Sequence, residues 1–203
     1  IRKAGGQAMA NGANVADGAQ VEAMIRQTMS QWGRVDILVN NAGILRDKSF
    51  VKMTMDEFRL VIDVHLIGSA NCSKAVWEIM REQKYGRIIF TTASTGLYGN
   101  FGQANYAAAK LGIVGLSKSI ALDMAKYNVR SNCISPFAWT RMIGTIPTET
   151  ETQKARVEKI KKLSPAHIAP VAAFLASDAA KDVTGQIFGV RGKEIMLFNH
   201  MRP

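Results

Sequence analysis

Apolar positions along the chain follow two spacings that alternate from the N-terminus to the C-terminus. Between 21 and 32 they recur every three or four residues. Val21, Met24, Ile25 and Met29 share one face, which predicts a helix stopped by Gly33. Residues 35–39, Val-Asp-Ile-Leu-Val, are β-branched and apolar and predict a buried strand. Helical spacing returns over 55–81, with Phe58, Val61, Ile62, Leu66, Ile67, Ala70 and Val76 as its apolar positions. A second buried strand is expected over 87–91, a Gly/Asn-rich loop over 96–102 and an Ala- and Gly-rich helix over 104–125. A strand over 129–134 ends at Ser135-Pro136. An irregular and helical excursion covers 137–163, a helix 165–176 and a last strand 185–190. Upstream, residues 8–15 after Gly5-Gly6-Gln7 also read as a strand.

Helices alternating with strands that are continuous apolar runs predict an α/β fold. Its parallel sheet should be buried on both faces, with functional loops at the carboxyl ends of the strands. Three segments of unusual chemistry fall there: 40–43, 91–96 and 136–140. The 203 residues suit one domain, and 47% hydrophobic with 21% charged residues is ordinary for a globular chain. Apolar runs are too short to cross a membrane. Two cysteines, Cys72 and Cys133, exclude a disulfide scaffold and read as reduced, buried thiols of a cytoplasmic protein. Three histidines (His65, His167 and His200) with no Cys/His cluster predict no metal site. The net charge of +10 suits phosphorylated small molecules as well as nucleic acid. Its densest run, residues 154–162, is interrupted by Glu158 and reads as a solvated helix face, so no nucleic-acid partner is expected.

The sharpest chemical pair is Tyr106 with Lys110, four residues apart on one helix face. A tyrosine pKa lies near ~10 and must fall by about three units, about 4 kcal/mol, to exchange protons near neutrality. A neighbouring ammonium or a cationic cofactor supplies such stabilisation. Alone, Tyr-x-x-x-Lys is a common accident of helices. Here Asn40-Asn41-Ala42-Gly43 closes a strand upstream, where small residues let a flat ring or a phosphate approach the backbone. The run Gly99-Asn100-Phe101-Gly102-Gln103-Ala104-Asn105 leads into the tyrosine.

These motifs in this order, with Thr91-Thr92-Ala93-Ser94 and Ser135-Pro136, resemble the short-chain dehydrogenases/reductases from about residue 5 to 190. The wording around Tyr106, with His65 and Gly43-Ile44-Leu45-Arg46-Asp47, is most similar to the (3R)-hydroxyacyl-CoA dehydrogenase part of peroxisomal multifunctional enzymes and their bacterial relatives. The resemblance implies a doubly wound, Rossmann-like sheet and an NAD- or NADP-dependent interconversion of hydroxyl and carbonyl. NAD is the cofactor favoured by this branch, and a 3-hydroxyacyl or 3-oxoacyl thioester is the implied substrate. It makes Tyr106 the general acid/base and Lys110 the group that lowers its pKa and binds the cofactor ribose. Asn40, Asn41, Ala42 and Gly43 would line the adenosine side, Pro136 and Thr140 the nicotinamide end, and residues 137–163 the substrate loop. His65 occupies the position of a family asparagine that supports a proton-relay water.

The chain departs from the family at Ala93, where a serine is usual; Ser94 follows it, on the opposite side of a regular strand. Only a bulge or altered loop could turn Ser94 into the site. Phe137 replaces the usual glycine after Pro136, and Val190-Arg191-Gly192-Lys193 replaces the usual C-terminal edge. The family's opening strand, Gly-rich turn, helix and second strand would precede Ile1, so an upstream βαβ portion is expected and residues 8–15 would be the third strand. A 3-oxoacyl-[acyl-carrier-protein] reductase and a weakly active family member remain alternatives. Apolar surface on the helices at 55–81 and 104–125, with Ala107, Ala108, Gly112 and Gly115, predicts a homodimer or homotetramer through them.

Overall fold

The computed structural model describes residues 1–140 and 150–199. Its centre is a five-stranded sheet in the order β1 (Ile37–Asn40), β2 (Gly86–Thr91), β3 (Val129–Phe137), β4 (Ile187–Arg191) and β5 (Glu194–Leu197). β1 to β4 are parallel and β5 is antiparallel to β4. The alternation of side chains along β2 builds two cores. Ile88 and Phe90 face one way, onto α1 (Gly18–Trp32), α3 (Gly68–Gln83) and α5 (Ala104–Asp123). Ile89 faces the other way with Ile134 and Val190, onto Val171 and Leu175 of α7 (Ala169–Ala176). The sheet is therefore covered on both faces over its middle strands, as its apolar runs predict. At the β1 edge Ile37 and Val39 remain 46% and 51% exposed.

Residues 8–15 form no strand, which corrects the sequence reading. An extended segment needs a neighbour for its backbone groups, and here side chains serve instead. The Asn11 and Asn14 side chains accept from the amides of Ala13 and Ala16, and Asn71 of α3 donates to the Val15 carbonyl. The helix expected over 55–81 is present and continuous, with one departure from α geometry. α2 (Met55–Ile62) begins with a capping box between Thr54 and Glu57 and runs into a π-helical turn, Asp63–Ile67, before α3. Ser69 and Ser73 donate to the carbonyls four residues back, His65 and Ser69, a pattern that bends helices.

The predicted loop at 96–102 overlaps a short helix, α4 (Ser94–Tyr98), which lies so close to α5 that a Cβ on Gly96 would strike the Leu111 amide. β3 extends past Ser135-Pro136 to Phe137. In the excursion at 137–163, the Trp139 amide donates to the Leu163 carbonyl at 2.7 Å, closing its base, and α6 (Glu151–Lys161) is anchored by buried Val157; residues 141–149 lie outside the described residues. Sequence spacing also missed β5, which folds back through a turn at Gly192, φ +57°. Cys72 and Cys133 are buried and unbridged, as expected.

Candidate active site

The parallel strands deliver their carboxyl ends to one edge of the sheet, and the sequence-predicted residues cluster around it. α5 passes behind this edge and carries both Tyr106 and Lys110. The Lys110 side chain is 3% exposed, and its ammonium donates to the Thr91 carbonyl at the end of β2, 2.5 Å away. Its Nζ lies 5.4 Å from the centre of the Tyr106 ring. The Tyr106 hydroxyl has no hydrogen-bond partner among the described residues, and the ring is partly exposed.

His65 sits on the π-helical turn at 2% exposure, its ring edge-on to Tyr106 with centroids 5.2 Å apart. π-turns are recurrent carriers of functional side chains. His65 Nε2 lies 3.0 Å from the Ile44 amide and 2.8 Å from the Ile44 carbonyl, so one tautomer accepts from the first and the other donates to the second. Its Nδ1 is buried and unpartnered among the described residues. Gly43 lies over this ring, and a Cβ there would overlap it. The loop after β1 thus approaches His65 as closely as a glycine permits.

The other predicted residues divide. Asn40 turns its side chain inward and donates to Ser73 of α3 at 3.3 Å. Asn41 is exposed and accepts from the Thr91 hydroxyl at 3.0 Å. Ala42 and Gly43 are exposed at the strand end. Pro136 is partly buried near the end of β3, and Thr140 is exposed three residues beyond it. Thr92 spends its hydroxyl on the Lys110 carbonyl at 2.7 Å. Ala93 is extended, at φ −157° and ψ 152°, and Ser94 is the first residue of α4. The alternation expected of a strand ends there, which removes the objection that Ser94 must face away. The Ser94 hydroxyl makes no hydrogen bond among the described residues.

Burial dominates the electrostatics. It pushes the Tyr106 phenol up to about 12, and the carboxylate of Asp47 adds to the rise. The lowering expected from Lys110 is therefore not seen in this structure; desolvation of the phenolate outweighs the nearby ammonium. Burial brings Lys110 itself down to about 8. His65 falls to about 4, first through burial and then through the Lys110 charge, against the opposing hydrogen bond that its ring donates to the Ile44 carbonyl, and is neutral near pH 7. Burial also lifts the Cys133 thiol to about 11, leaving it inert.

A family model described as enoyl-(acyl carrier protein) reductase matches residues 1–192. The 3-oxoacyl-[acyl-carrier-protein] reductase of Synechocystis is 41% identical over 194 residues, covering 95% of this chain and 78% of the relative. A crystal structure of a short chain dehydrogenase from Mycobacterium avium superposes with a TM-score of 0.85 at 36% identity, covering all of this chain and 68% of that one. The chain belongs to the short-chain dehydrogenase/reductase family. The peroxisomal hydratase-dehydrogenase-epimerase of Saccharomyces cerevisiae is 47% identical over 189 residues; the match takes 93% of this chain but spans only 20% of that relative's length.

Short-chain dehydrogenases/reductases act with a nicotinamide dinucleotide, and the residues here fit its nicotinamide-ribose half. Lys110 commits one of its three N–H groups to Thr91, leaving two for ribose hydroxyls. Ala42 and Gly43 bring bare backbone to the same edge. Sequence reasoning overlooked the supports of this short-chain dehydrogenase/reductase site. Lys48 donates its amide to the Gly102 carbonyl, Gln103 donates to Asp47, and buried Asn105 donates to the Arg46 carbonyl. The signal was present in the run from Gly99 to Asn105, but spacing cannot say which polar residue of a loop points inward.

Proposed function

We propose that this chain is the NAD(P)-dependent dehydrogenase part of an enzyme interconverting a 3-hydroxyacyl and a 3-oxoacyl thioester, with coenzyme A as the carrier. The observation that carries the reading is the Tyr106 hydroxyl, without a hydrogen-bond partner among the described residues, beside buried Lys110 at the carboxyl edge of the sheet. Tyr106 gives its proton to the carbonyl oxygen in reduction and takes the hydroxyl proton in oxidation. Lys110 holds the ribose and favours the phenolate. When bound, the nicotinamide would supply or accept the hydride, and its oxidised, cationic ring would pull the tyrosine pKa down from the high value that burial gives it. Neutral His65 holds the loop at Ile44 and supports the route by which the proton reaches water. Pro136 and Thr140 meet the nicotinamide end, and the excursion at 137–163 meets the acyl group. Asn41, Ala42 and Gly43 line the adenosine side; the Asn40 side chain is spent on Ser73, so its part there is through backbone.

The names of the relatives support the substrate class, and the Synechocystis relative supports the second reading, a 3-oxoacyl-[acyl-carrier-protein] reductase. Ala93, in place of the usual serine, supports a third, a weakly active member. No helix among the described residues is long and apolar enough to cross a membrane. A cytoplasmic setting agrees with the buried, unbridged thiols, although several relatives are named as peroxisomal. Exposed Ile67, Leu111 and Leu122 support a homodimer or homotetramer. The open edge of β1 fits pairing with a further parallel strand.

The test is reduction of acetoacetyl-CoA with NADH and with NADPH by the full chain and its Tyr106→Phe variant. Tyr106→Phe should lose about 10²- to 10⁴-fold in kcat. Its Tm should barely move, because the hydroxyl has no described partner. Equal turnover by both proteins would overturn the reading.

A further inference from the structure

Asn105, beside the tyrosine, is fully buried at 0% exposure, and its side chain reaches three separate parts of the chain. Oδ1 accepts from the Tyr106 amide at 2.7 Å. Nδ2 lies 3.1 Å from the Arg46 carbonyl in the loop after β1 and 3.4 Å from the Glu57 carbonyl in α2. Its one acceptor and both donor hydrogens thus have partners. α5 begins without a conventional cap, since Gln103 makes no side-chain cap hydrogen bond. The Tyr106 amide is one of the orphan donors of that first turn, and Asn105 satisfies it. The flanking ties, Lys48 to Gly102 at 2.9 Å and Gln103 to Asp47 at 2.7 Å, join the same two segments closer to solvent.

We infer that Asn105 is a positioning residue for the reaction: it fixes the first turn of α5, and with it the Tyr106 hydroxyl, relative to the β1 loop that forms one wall of the site. This rests on the dehydrogenase reading above. Proton transfer requires the phenol to be placed within hydrogen-bond reach, and displacement by about 1 Å can cost about 10²-fold in rate. A side chain acting this way changes kcat more than substrate binding.

Asn105→Ala and Asn105→Asp in the full chain test it. Asparagine and aspartate share shape and acceptor, so Asn105→Asp keeps the bond from the Tyr106 amide while removing both donated bonds. Both variants should lose about 10- to 100-fold in kcat with KM changed less than about threefold. Measured well below Tm, amide hydrogen exchange should rise at Tyr106 in Asn105→Ala only, and around residues 46–48 in both. Should Asn105→Ala fail to fold, Asn105→Asp decides. A kcat within about twofold of the parent, or unchanged local exchange, overturns the inference. If the parent turns over no 3-oxoacyl-CoA, the dehydrogenase reading falls, and exchange alone decides whether the tether exists.

Discussion

At the scale of single residues, the site sets reactivity against stability. Lys110 is a buried cation whose pKa falls from the usual lysine range to about 8. Between pH 8 and the unfolded value the unfolded chain binds more protons, so this residue makes stability rise with pH in that window. Below it, the buried ammonium costs about 3 kcal/mol, offset in part by its bond to Thr91. Lys110→Met should therefore raise Tm at pH 7 by a few degrees, by calorimetry, while turnover falls at least about 100-fold. Ala93 poses the opposite case. It lies two residues beyond β2, directly before α4, where the family serine would offer a hydroxyl to the reacting carbonyl. One such donor is worth about 3 kcal/mol in comparable sites. Ala93→Ser should raise kcat by about 10- to 100-fold if Ser94 does not already serve. An unchanged kcat would assign that role to Ser94, at the start of α4, whose hydroxyl makes no hydrogen bond among the described residues.

At the scale of elements, the departures from simple periodicity are where the chemistry sits. Apolar spacing runs unbroken from Met55 to Arg81, and nothing in it marks the π-helical turn that lifts His65 toward Ile44. That turn depends on contacts distant in sequence, Gly43 over the ring and Val15 against Gly68. The buried ring has a pH consequence. His65 is neutral in the fold down to about pH 4, whereas an unfolded histidine titrates near 6.5. The unfolded state therefore binds the extra proton first, and stability falls as pH drops from 6.5 to 4, by about 3 kcal/mol. Denaturant melts at pH 7 and pH 4.5 should show that loss in the parent and a smaller one in His65→Asn. An equal loss in both would mean another group carries the acid sensitivity. Residues 8–15 make the converse point. Read as a strand from their place before α1, they form none: a strand exists only with a partner, and Asn11, Asn14 and Asn71 take backbone bonds instead.

At the scale of the whole molecule, the outer face of α5 leaves Leu122 80% exposed, with Leu111 and, on the π-helical turn, Ile67 also open. Gly115 has open space above its Cα, room for a partner helix to approach. Light scattering should return a dimer or tetramer, and Leu122→Lys should shift it toward monomer; a monomeric parent would end the proposal. The class of fold was legible because burial on both faces demands strands with consecutive apolar positions, and Ile37-Leu38-Val39 and Ile88-Ile89-Phe90 supply them. The pair Tyr106 and Lys110 was legible because a helix places residues four apart together. The contacts of Asn105 were not, nor was the inward turn of Asn40, because what a polar side chain at the end of an element meets depends on segments distant in sequence, Arg46 and Glu57 for one and Ser73 for the other. The Tyr106 pKa was not legible either. By itself the sequence determined the order of most elements and placed Tyr106 and Lys110 on one helix face, which follow from local periodicity. Only the tertiary structure decided their surroundings, because desolvation and hydrogen-bond partners are properties of what packs against a residue.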